Sequence, residues 1–254
     1  MSAKTSEIVN YLDQLLDAGA FDDYCYNGLQ VPGADSVATV ATAVSANLET
    51  FKQAEQVQAD LLLCHHGLFW KPVPLQLDEV TANRLRTLFA ANIALAAYHL
   101  PLDAHPEFGN NALIAAGLGL EQREPFGQYL GKPIGQRGTF PGDGISRDEL
   151  VAKVAKLTGQ APLVFPAGPD QVRSIGVISG GASRELPQAA ELGLDAFITG
   201  EPTEPVMGLA NEYAITYIAA GHYATETFGI HKLGELVTKQ FGVSHVPIEV
   251  HNPI

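Results

Sequence analysis

With 254 residues, 46% of them hydrophobic and only 17% charged, the chain is long enough for one large or two modest domains with a sizeable core. Fifteen Lys and Arg against 28 Asp and Glu give a formal charge of −13. Such a surface repels phosphate backbones, which argues against duplex nucleic acid or a membrane surface as partner, and two cysteines, Cys25 and Cys64, exclude a disulfide scaffold.

The first stretch, residues 6–19, places Ile8, Leu12, Leu15 and Leu16 on one face of an amphipathic helix. This pattern fits neither a secretory signal nor a membrane span, and a cytoplasmic protein is expected. The turn-rich "YNGLQVPG" (26–33) then opens a strand-like "VATVATAVSA", a helical run follows around "LETFKQAEQVQ", and the apolar "ADLLLC" leads into His65 and His66. Strand, helix and strand joined by short links imply a parallel pair. Further on, "GKPIGQRGTF" reads as a strand and "SRDELVAKVAKLTG" as a helix, with Ser146 as N-cap, Glu149 three residues later and Gly159 closing the end.

The second half echoes the first. Val37, Val40, Gln53, Ala54 and Asp60 align without a gap with Val172, Ile175, Gln188, Ala189 and Asp195, 135 residues on, which sets Gly200 and Glu201 opposite the histidine pair. A second echo, 123 residues apart, matches "IALAAYHLPLD" (93–103) with "TYIAAGHYATE" (216–226). The expected fold is therefore α/β: two interlocked lobes built from a weak internal duplication, covering residues 1–125 and 126–254, with mostly parallel mixed sheets flanked by helices.

Chemistry concentrates where such sheets place their ligand sites, at the carboxyl ends of strands. His65 and His66 end one apolar run. Side chains alternate along a strand, so the two converge only past its end, where Gly67 frees the backbone. Another run ends in "GHYATE", where His222 and Glu226 stand i, i+4 on one helical face. A third ends in "YHLPLDA"; Pro101 disfavours helical geometry at Leu100, so Asp103 is expected in a turn rather than in a helical pair with His99. Each signal alone is weak, since such pairs arise by chance. Together, three imidazoles and two carboxylates overfill one tetrahedral ion and suit two ions sharing a bridging carboxylate. The mixed nitrogen and oxygen set favours Fe, Zn, Mn, Co or Ni over Ca or Mg.

Other candidates read more simply. His99 is the best-placed partner to orient a ligand, His105 and His231 lie near the proposed site without completing a motif, and His245 and His251 indicate nothing sharper. The "SGGAS" segment (179–183) lacks the lysine and spacing of nucleotide-binding loops and reads as a tight turn. Cys64, inside a buried strand, reads as a small apolar filler.

Taken in order, "YNGLQV", "LLLCHHGLFW", "HLPLDAHPEFGNNALIAAG" and "GHYATE" resemble, over essentially the whole chain, the dinuclear-metal-centre proteins called GTP cyclohydrolase 1 type 2 homologues, which are NGG-interacting-factor-like. The resemblance implies two divalent transition-metal ions held by His65, His66, Asp103, His222 and Glu226, the same five residues, in a homohexamer. Many members carry Pro after the histidine pair, where this chain has Gly67. The implied activity is metal-dependent hydrolysis of a small, nucleotide-like substrate, with opening of the guanine ring of GTP if the family's label applies. The alternative is a non-catalytic metal-binding, metal-delivery or adaptor protein.

Overall fold

The computed structural model describes residues 1–71, 73 and 76–254 and turns the apolar runs into strands buried on both faces. Leu61–His66 pairs in parallel with Thr39–Ser45 on one side and Ala94–Ala97 on the other, and its residues 61–65 are fully buried. A continuous apolar run is what such a doubly covered parallel strand requires. Ser244–Pro247 adds in parallel beyond Thr39–Ser45, and Gly28–Val31 closes the other edge antiparallel to Ala94–Ala97. Helices Leu48–Gln56 and Glu79–Ala90 contribute Phe51, Ala54 and Leu88 to a core completed by Leu62, Leu95 and Ile248.

A second sheet of six strands has Ala196–Thr199 at its centre, parallel to both Ser174–Val177 and Thr216–Ala219. Its outer strands, Leu163–Pro166, Lys132–Thr139 and Glu121–Tyr129, join antiparallel. The helices Asn110–Leu118 and Arg147–Thr158 cover it, burying Ile114, Leu118, Leu150 and Val154 against Ile175 and Ile198. The Arg147–Thr158 helix begins and ends where its caps predict: Ser146 Oγ accepts from the Glu149 amide at 3.1 Å, and Gly159 takes the left-handed conformation at φ 74°.

The chain therefore has the expected α/β architecture, with mixed sheets flanked by helices. Its contacts divide into two units. One comprises Met1–Leu102 and Gly229–His251, the other Asp103–Phe228 and Asn252–Ile254.

The sequence echo is visible as repeated hydrogen bonding inside each unit. Asp60 Oδ2 accepts from the amides of Ala38 and Thr39 at 2.7 and 3.0 Å. Asp195 Oδ2 accepts from Arg173 and Ser174 at 2.8 and 3.0 Å, each partner 135 residues on. The second echo needs a shift of one residue. Leu61 pairs with Ala94 in one sheet and Ala196 with Thr216 in the other, offsets of 135 and 122 rather than 123. In the frame of the sheets, His99 therefore corresponds to Gly221, and His222 stands one residue further out.

Each aspartate satisfies two amides at a strand start, and removing it strands both donors. Asp60→Ala and Asp195→Ala are each expected to cost about 1–3 kcal/mol, read as a lower urea midpoint at unchanged m-value.

Candidate metal centre

In the first unit, three imidazoles gather at neighbouring strand ends. His65 and His66 both lie within the strand Leu61–His66, not beyond it, yet their ring centroids are 4.8 Å apart. His99, just past Ala94–Ala97, brings its ring to 5.1 Å from His65 and 5.7 Å from His66. One ligand atom from each of the three lies within 4.8 Å of the others.

An oxygen atom meets Nδ1 of each ring. His65, fully buried, donates from Nδ1 to the Tyr98 carbonyl at 2.9 Å. His66 Nδ1 lies 3.3 Å from the Ser45 hydroxyl. His99 donates to Asp23 Oδ1 at 2.9 Å. Burial works against the Asp23 carboxylate, but the hydrogen bond and charge of His99, the Cys25 amide and the Asn27 side chain outweigh it and hold its pKa down, at about 2.

The "YNGLQ" segment builds this arrangement. Asn27 Oδ1 accepts from the His99 amide at 2.8 Å, and Gln30 Oε1 accepts from the amides of Leu68 and Phe69 at 2.7 and 3.0 Å. One segment thus clamps both strand-end loops. Gly67 serves that clamp rather than backbone freedom: a Cβ there would overlap the Gln30 side-chain amide. The cysteines are fillers, as Cys64 was read to be. Burial pushes the Cys25 thiol up to about 12 and raises that of Cys64 further, so neither is a thiolate at neutral pH.

In the second unit, Asp103, His222 and Glu226 all meet the loop Ser179–Gly181. Asp103 ends a helical turn, Leu100–Asp103, contrary to the expected non-helical turn. Pro101 sits in the first turn, where its missing N–H leaves no helical bond unmade. Asp103 is buried, and its Oδ1 accepts from Asn110 Nδ2 at 2.8 Å and from the Ser179 hydroxyl at 3.0 Å. Asn111 ties the same region together, accepting from the Ser179 amide and donating to the Ile134 carbonyl.

His222 opens the short helix His222–Thr225 and lies between two carboxylates. Its Nε2 is 3.2 Å from Glu226 Oε1 and its Nδ1 3.4 Å from Glu201 Oε1. Burial works against its imidazolium, but hydrogen bonding and charge from Glu226, with Glu201 adding to both, hold its pKa up at about 9. The "SGG" loop forms the floor. Gly180 has φ 65°, and a Cβ there would overlap Glu226 Oε1. Thr225 Oγ1 accepts from the Gly180 amide, and Thr199 Oγ1 donates to its carbonyl.

Glu201, Asp23 and Ser45 were not among the sequence candidates. Glu201 carried a faint signal, its place opposite the histidine pair in the echo. Asp23 and Ser45 carried none, because nothing local marks a residue as the acceptor for a distant imidazole. His105 is engaged in its own turn, accepting from the amides of Glu107 and Phe108, and His231 and His245 both bond Thr42 at 2.8 Å.

A family model described as Duf34/NIF3 (NGG1p interacting factor 3) matches residues 3–253. A Deinococcus radiodurans protein named GTP cyclohydrolase 1 type 2 homolog is 40% identical over 237 residues, 93% of this chain and 89% of its own. Two solved structures are similar throughout. Protein ybgI has a TM-score of 0.93 and 35% identity over 99% of this chain and 100% of its own. TTHA1606 from Thermus thermophilus has a TM-score of 0.90 and 37% identity over the same shares.

The clamp around Gly67 predicts non-additivity. Gly67→Ala should destabilise the wild-type chain by about 1–3 kcal/mol, the range for an overpacked site. In a Gln30→Ala background the added methyl finds room, and a double-mutant cycle by thermal unfolding should show a markedly smaller cost.

Proposed function

The chain belongs to the Duf34/NIF3 family, and from that premise we propose that it is a dinuclear metal-binding protein that works as a metal-dependent hydrolase on a nucleotide-like small molecule. The proposed ligands are His65, His66, Asp103, His222 and Glu226, and the ions are two divalent transition metals. The observation that carries this reading is the uniform engagement of Nδ1. His65 meets a carbonyl, His66 a hydroxyl and His222 a carboxylate through that atom, which makes Nε2 the proposed ligating nitrogen of each. Metal-binding imidazoles are held in this way, by an oxygen partner that fixes tautomer and ring orientation.

The donor chemistry fits the ions as well. His222 Nε2 and Glu226 Oε1 are a nitrogen and an oxygen donor side by side, 3.2 Å apart. Bound ions of this kind act as Lewis acids and lower the pKa of coordinated water. The chain's own residues do the rest: Asn110 and Ser179 orient Asp103, Glu201 orients His222, and the strand-end clamp holds His65 and His66. The substrate class and a homohexameric assembly are carried over from the family resemblance.

Elemental analysis of protein dialysed with excess Zn, Fe or Mn is expected to give two ions per chain. His65→Ala combined with His222→Ala should strip both while circular dichroism stays near wild type, since the cores of both units are apolar. Two ions retained in that double variant overturn the ligand assignment. Metal-loaded protein incubated with a nucleotide panel should turn one over faster than a Glu226→Ala control; equal rates leave a metal-holding protein without hydrolysis.

A further inference from the structure

We propose that His99 is a third imidazole ligand of the ion held by His65 and His66, with Asp23 as its positioning carboxylate, so that the first unit carries a three-nitrogen site of its own. The inference rests on the reading above that the chain holds metal ions, and it adds a residue that the five-ligand set leaves out.

The argument begins with Asp23, which is 1% exposed. Its Oδ1 accepts from the Cys25 amide and His99 Nδ1, both at 2.9 Å. Its Oδ2 accepts from Asn27 Nδ2 at 3.0 Å and the Leu100 amide at 2.9 Å. Four donors hold this carboxylate on both oxygens, so it does not swing out to take a cation itself. It serves to fix the His99 ring.

His99 is 5% exposed and is held on its backbone too, by Asn27 Oδ1. With Nδ1 committed to the Asp23 carboxylate, Nε2 is the nitrogen placed to ligate, as in metal-binding histidines oriented by a carboxylate. This is the same engagement that His65 and His66 show, on a ring packed against both of theirs. Three nitrogens on one tetrahedral ion stand about 3.3 Å apart, given metal–nitrogen bonds of ~2.0 Å. One ring nitrogen from each of the three already lies within 4.8 Å of the others. Three imidazoles with an open fourth position also form a donor set that zinc and cobalt accept without any carboxylate.

The test is cobalt binding by the full-length chain, read by equilibrium dialysis and by the visible ligand-field spectrum. Wild type is expected to bind two ions. The His222→Ala/Glu226→Ala protein should retain one, with the intense absorption of a four-coordinate site. Adding His99→Ala should weaken that remaining ion more than 100-fold and bleach the absorption. Adding Asp23→Asn instead should weaken it about 10- to 100-fold, the usual effect of losing an orienting partner, with the spectrum kept. If His99→Ala does not fold, the Asp23→Asn affinity decides the matter. Cobalt affinity unchanged by either substitution overturns the inference and leaves the five-ligand reading standing. A wild type that binds no cobalt, zinc, iron or manganese overturns both.

Discussion

Everything at the candidate centre depends on one kind of contact: an imidazole Nδ1 held by an oxygen of the surrounding fold. A histidine ring at a strand end can rotate, swap tautomers or turn to solvent. A carbonyl or carboxylate on Nδ1 removes those options and dictates which nitrogen ligates. For His65 the acceptor is a backbone carbonyl, available because Cys64 pairs with Ala97, Tyr98 donates back to Cys64 and the next carbonyl faces the ring. The register of two parallel strands thereby becomes the orientation of a side chain.

The same contact explains why polar groups are tolerated in such apolar surroundings. Asp23, His65, His99 and Asp103 are all buried, and each makes a hydrogen bond of 2.8–2.9 Å. An unsatisfied buried group of this type would cost several kcal/mol, whereas a connected network stiffens the site. The glycines serve the network as well. Gly67 makes room for Gln30 and Gly180 for Glu226, so two loops approach side chains at distances a Cβ would forbid.

The internal duplication supplies one scaffold with two chemical endings. Asp60 and Asp195 fix the strand starts of the two units in the same way, but the strand ends diverge. The first unit finishes its central strand in His65 and His66. The second continues past its own into Gly200 and Glu201, and delivers its histidine from the adjacent strand end, one residue further out than the echo suggested. Imidazoles thus dominate the strand ends of one unit and carboxylates those of the other.

By itself, the sequence determined the α/β architecture and the caps at Ser146 and Gly159, and it named the strand ends and the five residues proposed as ligands. Each of these is written in local signals: apolar runs, spacing, capping residues and motifs that a known family shares. It misjudged Leu100–Asp103 because the rule against a helix before proline ignores the exemption of a first turn. It also credited Gly67 with backbone freedom when the constraint was a neighbour's side chain. Only the tertiary structure decided which oxygen meets which imidazole. Asp23 and His99 lie 76 residues apart, and so do Asp103 and Ser179. Pairings over such separations follow from strand register and loop packing, which no window of sequence contains.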